Sequence, residues 1–345
     1  MARRVGTVRR RKVTGVFARM TEFHALRAAA LRASRGLRTR RAPASFLSDL
    51  ERNVVALRAS LLDDSWRPGP MRTFRIRDPK PRTIAVAPFP DRVVHHALCA
   101  ELTPMFDRFA DADSYACRVG GGQHRAVERL RTLTRRHEWY GRLDVRHYFE
   151  SVHHDVLLER LERRVADPAA LRVVEHLLAA GVGPAGIGLP IGNLTSQHFG
   201  NFLLGHVDHF AREVVKVDAW VRYMDDIVIL GDDRERVWGQ IAELDAHLRS
   251  DLRLIWKDSA TRVGRVCGGV PFLGVRVWPE LVRFDGVRLR RARRALAANV
   301  RAARVGDASA EDSARRASAM IAWMELGHSK AWRARRAGAW HADGA

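Results

Sequence analysis

Residues 219–233 of this 345-residue chain read AWVRYMDDIVILGDD. Two apolar runs flank a short acidic turn in this stretch. Apolar runs of this length, interrupted by turn-forming residues, are typical of paired β-strands. The sequence therefore predicts a β-hairpin with Met224, Asp225 and Asp226 at its tip.

A second strand is predicted upstream, over WYGRLDV at 139–145, and another aspartate, Asp144, lies at its end. If the two strands lie side by side, Asp144 comes near Asp225. Carboxylates at strand ends are hard oxygen ligands of the kind that Mg²⁺ prefers, together with substrate phosphates. Two such ions can activate a 3′-hydroxyl and stabilise a leaving pyrophosphate, as nucleotidyl transfer requires. The structural alternative is an ordinary Asx-turn, in which the aspartates only shape the hairpin.

The surrounding sequence mixes helix-like and strand-like patterns. A Gly/Pro-rich loop at 181–193 precedes a long apolar helix, and a Pro-containing turn joins two alternating segments near residue 80. The predicted helices are 17–36, 45–62, 91–106, 123–137, 154–165, 168–180, 194–215, 233–250 and the tail 288–340; the further predicted strands are 71–78 and 82–88, with a second hairpin formed by 270–279 and 280–286.

Charge indicates a polyanionic partner. The chain has 60 Lys and Arg against 39 Asp and Glu, a formal net charge of +21, and its isoelectric point is about 11.3. Such an excess is typical of nucleic-acid binding. Only five of the basic residues are lysines. The codon bias of a GC-rich genome explains why arginine is preferred to lysine, but it does not explain why basic residues outnumber acidic ones.

Other compositional features argue against several classes of protein. No run of eighteen apolar residues is present, which argues against a membrane span. The basic N-terminus lacks an apolar stretch with a cleavage site, and the three cysteines form no CxxC pair. We therefore expect a reduced, cytoplasmic protein without a membrane partner, a disulfide framework or a structural zinc site.

The order of these motifs resembles that of a reverse transcriptase, and the resemblance runs from about Arg72 to Pro279. It implies an RNA-directed DNA polymerase that takes template RNA, a primer or cDNA strand and dNTPs. The matching segments are RTIAVAPFPDRVVHHAL (82–98), DSYACRVGGGQHRAV (113–127), LDVRHYFESVHH (143–154), GLPIGNLTSQHFGNFLL (188–204), VRYMDDIVIL (221–230) and VPFLGVRV (270–277).

The resemblance also implies roles for individual residues. Asp144 and Asp225 correspond to the ligands of two Mg²⁺ ions, for which Mn²⁺ can substitute, with Asp226 beside them as the third catalytic aspartate. Val145 and Asp226 are also counted among the metal-binding positions. By the same resemblance the nucleotide-binding positions are Arg77, Lys80, Arg82, Phe149, Ile191, Gly192 and Gln197, and the primer- or template-binding positions are Tyr223, Met224, Lys257, Phe272, Leu273 and Gly274.

Several of these assignments have a structural alternative. Phe149 lies where the family places its steric gate against the ribose 2′-hydroxyl, but it could be an ordinary core aromatic. Arg77 and Arg82, on the two predicted strands near residue 80, suit the binding of a triphosphate, but each could instead lie on a solvated strand edge. Lys257 could donate a proton to pyrophosphate or be a surface lysine, since Ala260 fills the place where many family members carry a lysine.

The string IGNLTSQ at 191–197 is similar to the reverse transcriptases of diversity-generating retroelements. Most other reverse transcriptases have a glutamine where Ile191 stands, and often a proline where Gln197 stands. An isoleucine offers shape without polar discrimination, which should weaken rejection of wrong pairs. This narrower resemblance implies a bacterial or phage-encoded enzyme with error-prone copying, mainly at template adenines, to diversify a target gene, and a small basic oligomeric accessory protein.

The expected fold is α+β, a right-hand polymerase with fingers, a palm built on an antiparallel sheet, and a short helical thumb. We expect a basic mobile arm at 1–16, N-terminal helices and fingers at 17–138 completed by helices within 155–190, a palm at 139–286 and a thumb at 287–345. Two alternatives stay open. One is a retron, defence-type or intron-type reverse transcriptase, and the other is a catalytically silent RNA-binding scaffold.

Overall fold

The computed structural model describes residues 12–77, 81–305, 313–316 and 318. Those residues fall into two compact units, each built from separate stretches of the chain. The first comprises Met1–Asp111, Val145–Val214 and Leu244–Ile255; the second comprises Ala112–Asp144, Val215–Glu243 and Trp256–Ala345.

The first unit is mainly helical and is organised around one long helix. Its helices are α1 (Val16–Met20), α2 (Phe23–Ala33), α3 (Arg41–Ser48), α4 (Leu50–Leu62), α5 (Phe89–Phe109), α7 (Tyr148–Ser151), α8 (His154–Glu162), α9 (Pro168–Ala179) and α10 (Leu194–Phe210), the last followed by a π-helical turn, Ala211–Val215. Helices α1, α2, α3 and α10 pack against α5, whose buried side chains lie on several faces, as expected of a central helix.

Two strands complete the first unit. Strands β1 (Arg72–Arg77) and β2 (Pro81–Val86) form an antiparallel pair, as the alternating segments predict. Near the start of the described chain, Val13 forms a parallel bridge with Val165. Its backbone N–H donates to Arg164 O at 2.8 Å, so the part of the predicted N-terminal arm that is described is attached to the unit.

The second unit contains two antiparallel sheets. In the larger sheet the strand order is β4 (Ala219–Tyr223), β5 (Asp226–Gly231), β3 (Trp139–Asp144), β6 (Arg262–Arg265). The smaller sheet has the order β7 (Val270–Phe272), β8 (Val275–Val277), β9 (Val282–Phe284). The helices that complete this part of the chain are α6 (Gln123–Thr134), α11 (Arg234–Leu252), which runs on into the first unit, and α12 (Gly286–Arg304).

The larger sheet is covered on both faces, which explains why β5 is apolar at successive positions. One face joins α6 and the smaller sheet in a single apolar cluster that includes Val221, Val228 and Phe272. On the other face Gly141 leaves room for α11: a Cβ added there would lie 2.9 Å from both Ile229 Cγ1 and Ile241 Cδ1.

The fold differs from the sequence-based expectation in both its helices and its strands. The predicted helices 17–36 and 45–62 are each divided in two, into α1 and α2 and into α3 and α4, and the short helix α7 was not predicted. Strand β6 was not predicted, since its four residues, RVGR, carry no alternating pattern. The segment 270–286 forms three strands rather than two, because Leu273 and Gly274 both adopt positive φ (48° and 86°) and turn the chain between β7 and β8.

The other predicted elements are present within a few residues of their expected bounds. The helical tail is confirmed over 286–304. Trp323, Trp332 and Trp340, expected in the core of the thumb, lie outside the described residues, as do Lys80 and the first eleven residues. Among the residues that the structure describes, no helix combines the length and the apolar character that crossing a membrane requires.

Candidate active site at the edge of the larger sheet

Two of the three predicted aspartates are direct partners across the central strands of the larger sheet. Asp144 at the end of β3 pairs with Asp226 at the start of β5. Directly opposed residues of antiparallel strands have Cα atoms about 4.5–5.5 Å apart and side chains on the same face. The sequence predicted Asp144 near Asp225; the direct partner is Asp226, and Asp225 is the next residue, in the turn.

The turn that carries Asp225 is tight. Tyr223 pairs with Asp226, so only Met224 and Asp225 lie between β4 and β5. Met224 is buried and has a positive φ of 54°, which is uncommon for a residue with a side chain. The Arg222 guanidinium donates to Met224 O at 3.3 Å, and this contact holds the turn from the buried side.

The segment that precedes α6 supports this turn from the edge of β4. Tyr115 N–H donates to Arg222 O at 3.0 Å, and Cys117 Sγ lies 3.9 Å from Met224 Sδ. Tyr223 is partly buried beside the same segment, and burial raises the pKa of its hydroxyl, with a smaller contribution from Cys117. The SYACR stretch is thus a part of the site.

The carboxylate of Asp226 is held from two sides. Arg142 Nε lies 3.3 Å from one oxygen, and the backbone N–H of Leu273 donates to the other at 3.2 Å. Burial raises the pKa of Asp226, and Asp144 adds to that rise, whereas Arg142 and the Leu273 N–H oppose it. The β7–β8 turn, predicted to contact primer, therefore lies directly against Asp226, which is predicted to be catalytic.

Lys257 is also brought to this edge. Its backbone N–H donates to Asp144 O at 2.8 Å, and its own carbonyl accepts from the N–H groups of Ala260 and Thr261. The predicted primer- and metal-binding residues of the second unit are thus gathered around the ends of β3, β4 and β5. Val145, the next residue after Asp144, is buried and belongs to the first unit.

The carboxylates at this edge of the sheet are of the type that binds Mg²⁺. Among the described residues, no group of three His, Cys, Asp or Glu side chains is close enough to hold a metal ion. Mg²⁺ is usually bound by one or two carboxylates, with waters and substrate phosphates as the other ligands. Asp144 and Asp225 offer that number of carboxylates, while Asp226 is turned toward Arg142 and Leu273.

The residues predicted to bind nucleotide lie in the first unit, where three of them converge. Ile191 O accepts from Ala85 N–H of β2 at 2.8 Å. Gly192 has φ +117°, and a Cβ there would lie 2.9 Å from both Ala85 O and Ile84 Cγ2. Leu189 N–H donates to Phe149 O at 2.6 Å, so the Gly/Pro-rich loop connects β2 to the predicted steric gate.

Gln197 lines a cavity of about 290 Å³ beside this loop, together with Gly192 and three residues of α5, Arg92, His95 and His96. His95 Nδ1 lies 2.8 Å from Thr195 Oγ1. Burial lowers the pKa of His95 to about 3 and that of His96 to about 4, so both rings are neutral at pH 7.

The remaining fingers residues are on the β1–β2 pair. Arg82 is exposed on β2 opposite Ile76. Arg77 ends β1, and Lys80 lies outside the described residues. Their assignment to a triphosphate stays a prediction.

Residues 76–277 match the family model described as reverse transcriptase (RNA-dependent DNA polymerase), which is more than half of the chain. The chain belongs to the reverse transcriptase family. The predicted α+β right-hand polymerase fold is confirmed at this level, and the enzyme class, RNA-directed DNA polymerase, follows from the domain. The predicted bounds of fingers, palm and thumb stay predictions.

Among its relatives, this reverse transcriptase is 24% identical to Protein YkfC of Escherichia coli (strain K12) over 278 residues, 68% of this chain and 73% of the relative. It is 26% identical to the Putative COX1/OXI3 intron 1 protein of Saccharomyces cerevisiae over 157 residues, 43% of this chain and 19% of the relative. It is 25% identical to Nuclear intron maturase 2, mitochondrial, of Arabidopsis thaliana over 146 residues, 38% of this chain and 20% of the relative. The chain thus spans about a fifth of the two intron-related proteins.

Solved structures show more distant likeness. Telomerase from Candida albicans in complex with a fragment of telomeric RNA aligns with a TM-score of 0.46 and 12% identity, over 64% of this chain and 46% of that one. The Cas6-RT-Cas1–Cas2 complex aligns with a TM-score of 0.41 and 17% identity, over 68% of this chain and 26% of that one.

Sequence reasoning missed three residues of the candidate site. Arg142, Arg222 and Cys117 contact Asp226 or Met224 directly. Arg142 carried a usable signal, because it precedes Asp144 by two positions in a predicted strand and therefore shares its face. Its contact with Asp226 spans 84 residues, and the sequence pattern holds no indication of that pairing.

Proposed function

We propose that this enzyme synthesises DNA at the edge of the larger sheet, with Asp144 and Asp225 holding two Mg²⁺ ions and Asp226 beside them. The observation that carries this proposal is the direct register of Asp144 with Asp226, which places Asp225 at the same edge. When bound, the ions supply activation of a primer 3′-hydroxyl and stabilisation of the leaving pyrophosphate.

The chain's own residues position the substrates around that edge. The β7–β8 turn at Leu273 and Gly274 supports the primer strand, since it is joined to Asp226 by the Leu273 N–H. Tyr223, the last residue of β4, and Met224, in the turn that follows, contact the primer terminus. Lys257 lies next to Asp144 through its backbone hydrogen bond, and its ammonium group donates a proton or a hydrogen bond to pyrophosphate.

Nucleotide selection is assigned to the first unit. Phe149 excludes the ribose 2′-hydroxyl, and Arg77, Lys80 and Arg82 bind the triphosphate. Ile191 and Gln197 contact the nascent pair without the polar group that a glutamine at 191 would offer. The tie between Ile191 O and Ala85 N–H supports this placement, since it joins position 191 to the same strand pair that carries the arginines.

From these departures we infer an enzyme of the diversity-generating type, which copies template RNA with errors concentrated at adenines. Such an enzyme acts with a small basic oligomeric accessory protein, in the cytoplasm of a bacterial host. Loss of a polar contact at the templating pair reduces discrimination because an unpaired polar group penalises a wrong base more than apolar shape does.

A second candidate is an intron-type reverse transcriptase. Its support is the similarity to the yeast intron 1 protein and to the Arabidopsis intron maturase. Ile191 and Gln197 argue against it. The two candidates share the chemistry and differ in fidelity, which makes fidelity the property to measure.

The test is Mg²⁺-dependent dNTP incorporation by the purified protein with its cognate RNA and accessory protein, followed by sequencing of the cDNA. The Asp225→Ala, Asp226→Ala double variant should be inactive. Asp232→Ala is the matched control, because Asp232 follows β5 at its other end and is 70% exposed; it should remain active.

Each outcome of that experiment supports one of the candidate functions and contradicts the others. Activity with errors concentrated at adenines supports the diversity-generating type. Activity with uniformly low error contradicts that type and favours the intron type. Absence of incorporation with every template and metal tried would overturn the proposed catalysis and leave an RNA-binding scaffold.

A further inference from the structure

Arg142 is a partly buried cation at the edge of the larger sheet that carries Asp144 and Asp226, and no motif assigns it a role. It lies on β3 two residues before Asp144, so the two side chains share one face of the sheet. Its Nε lies 3.3 Å from Asp226 Oδ1, and the two side chains are only 24% and 19% exposed. A pair that is so well covered is screened much less than an exposed one.

The other oxygen of Asp226 connects this pair to the smaller sheet. It accepts the backbone N–H of Leu273 at 3.2 Å. Leu273 has φ +48°, a left-handed conformation that is strained for a residue with a Cβ. The hydrogen bond from a charged acceptor offsets that strain, so the β7–β8 turn depends on where the Asp226 carboxylate is held.

The charges at this edge make the position of Asp226 sensitive to Arg142. Asp144 lies directly across from Asp226, and like charges in that relation repel. Without a cation on the β3 side, the Asp226 carboxylate would rotate away from Asp144, and its hydrogen bond to Leu273 would be lost. Arg142 is placed to prevent that rotation.

We propose that Arg142 is a positioning residue for DNA synthesis, which holds Asp226 against the Leu273 N–H and so fixes the β7–β8 turn relative to Asp144 and Asp225. The inference rests on the proposed function for the meaning of that turn, the support of the primer strand. The contacts themselves, Arg142 to Asp226 to Leu273, do not depend on it.

The test compares Arg142→Gln, Arg142→Lys and a matched control. In the control, Arg236→Gln, another arginine–aspartate pair of the same unit is removed: Arg236 Nη2 lies 2.8 Å from Asp218, which precedes β4 at the end away from the catalytic turn. Two quantities are measured in each variant, the steady-state kcat and KM for dNTP incorporation and the hydrogen-exchange protection of the Leu273 amide.

We expect Arg142→Gln to lower kcat about 10- to 100-fold, as removal of groups that orient metal-binding carboxylates commonly does. The KM for dNTP should stay within about threefold, because the nucleotide contacts are assigned elsewhere. The Leu273 amide should exchange at least tenfold faster. Arg142→Lys should retain part of the wild-type kcat and part of the protection of the Leu273 amide, since lysine keeps the positive charge but lacks the planar guanidinium group. Arg236→Gln should match the wild type in both.

Three results would overturn the proposal. The first is unchanged kcat and unchanged Leu273 protection in Arg142→Gln. The second is a lower melting temperature with kcat intact, which is the result of a purely structural ion pair. The third is an Arg142→Lys variant as impaired as Arg142→Gln in both measurements. If the wild type makes no DNA, the proposed function fails, while the exchange of Leu273 still tests the contact chain.

Discussion

Replacing Gly141 by alanine should destabilise the protein through a single added methyl group. Gly141 lies on β3 three residues before Asp144 and pairs with Ile229 on β5. The new Cβ would lie 2.9 Å from Ile229 Cγ1, 2.9 Å from Ile241 Cδ1 and 3.1 Å from Val237 Cγ1. The Ile241 atom is the tip of a flexible side chain and can move. The Ile229 atom is one bond from its Cβ, so β5 itself must shift.

The magnitude follows from two opposing effects. Overfilling a well-packed core destabilises by about 1–3 kcal/mol. Replacing glycine by alanine lowers the entropy of the unfolded chain, which stabilises the folded protein by about 0.4–1 kcal/mol. The middle of each range, about 2 and about 0.7 kcal/mol, leaves a net loss of about 1.3 kcal/mol. That loss lowers the melting temperature by roughly 3–5 °C for a unit of this size. Because β5 carries Asp226 and β3 carries Asp144, DNA synthesis should fall as well.

The matched control is Gly239→Ala. Gly239 is exposed on α11, and no atom lies within 4 Å of the position that its Cβ would take. Alanine is the better helix former there, by about 1 kcal/mol, so this variant should melt at the same temperature or slightly higher. Thermal unfolding followed by fluorescence, with primer extension on the same samples, measures both. A Gly141→Ala protein that melts at or above the wild-type temperature would refute the packing argument.

Substitutions at three further positions test the first unit. Ile191→Gln should lower misincorporation at template adenines several-fold, because it would introduce a polar group at the position proposed to contact the templating pair. An active variant with unchanged adenine errors in its sequenced cDNA would contradict this. Phe149→Ala should admit ribonucleotides, and Phe149→Tyr should not; equal rNTP incorporation by the two would exclude the gate. His95→Asn should make the protein less sensitive to acid. The pKa of His95 is about 3 in the folded protein and near 6.5 when unfolded. The neutral ring therefore contributes its full stabilisation above pH 6.5, and the free energy of unfolding falls as the pH drops toward 3, by about 1.4 kcal/mol per pH unit well below 6.5. Melting temperatures that decline equally in variant and wild type between pH 7 and pH 4 would rule this out.

Much of the larger sheet could be predicted because its strands carry local signals. The run at 219–233 is apolar on both sides of a turn, and β3 and β5 form where expected. Strand β6 could not be predicted, since it is an edge strand of four residues with no apolar periodicity. The break between β7 and β8 was hidden because Leu273, a residue that rarely adopts positive φ, occupies the first position of the turn.

The candidate site was predictable to the extent that it depends on strand ends. Asp144, Asp225 and Asp226 could be placed together because acidic residues at the ends of paired strands meet at one edge. The supporting contacts could not be predicted, since Arg142 and Leu273 reach Asp226 across 84 and 47 residues. Such contacts depend on the register of β3 and on the path of the chain after β6.

The two adjacent aspartates of the hairpin illustrate why a motif alone does not divide roles between its residues. Asp226 is the first residue of β5 and has a fixed partner across the sheet, Asp144. Its two oxygens are directed to Arg142 and Leu273. Asp225 lies in the two-residue turn, outside the paired positions of β4 and β5. Asp226 therefore has described contacts that hold the edge of the sheet, and Asp225 is the aspartate of this turn that the proposed function assigns to a metal ion. The two aspartates are distinguished by their tertiary contacts, which the local sequence does not indicate.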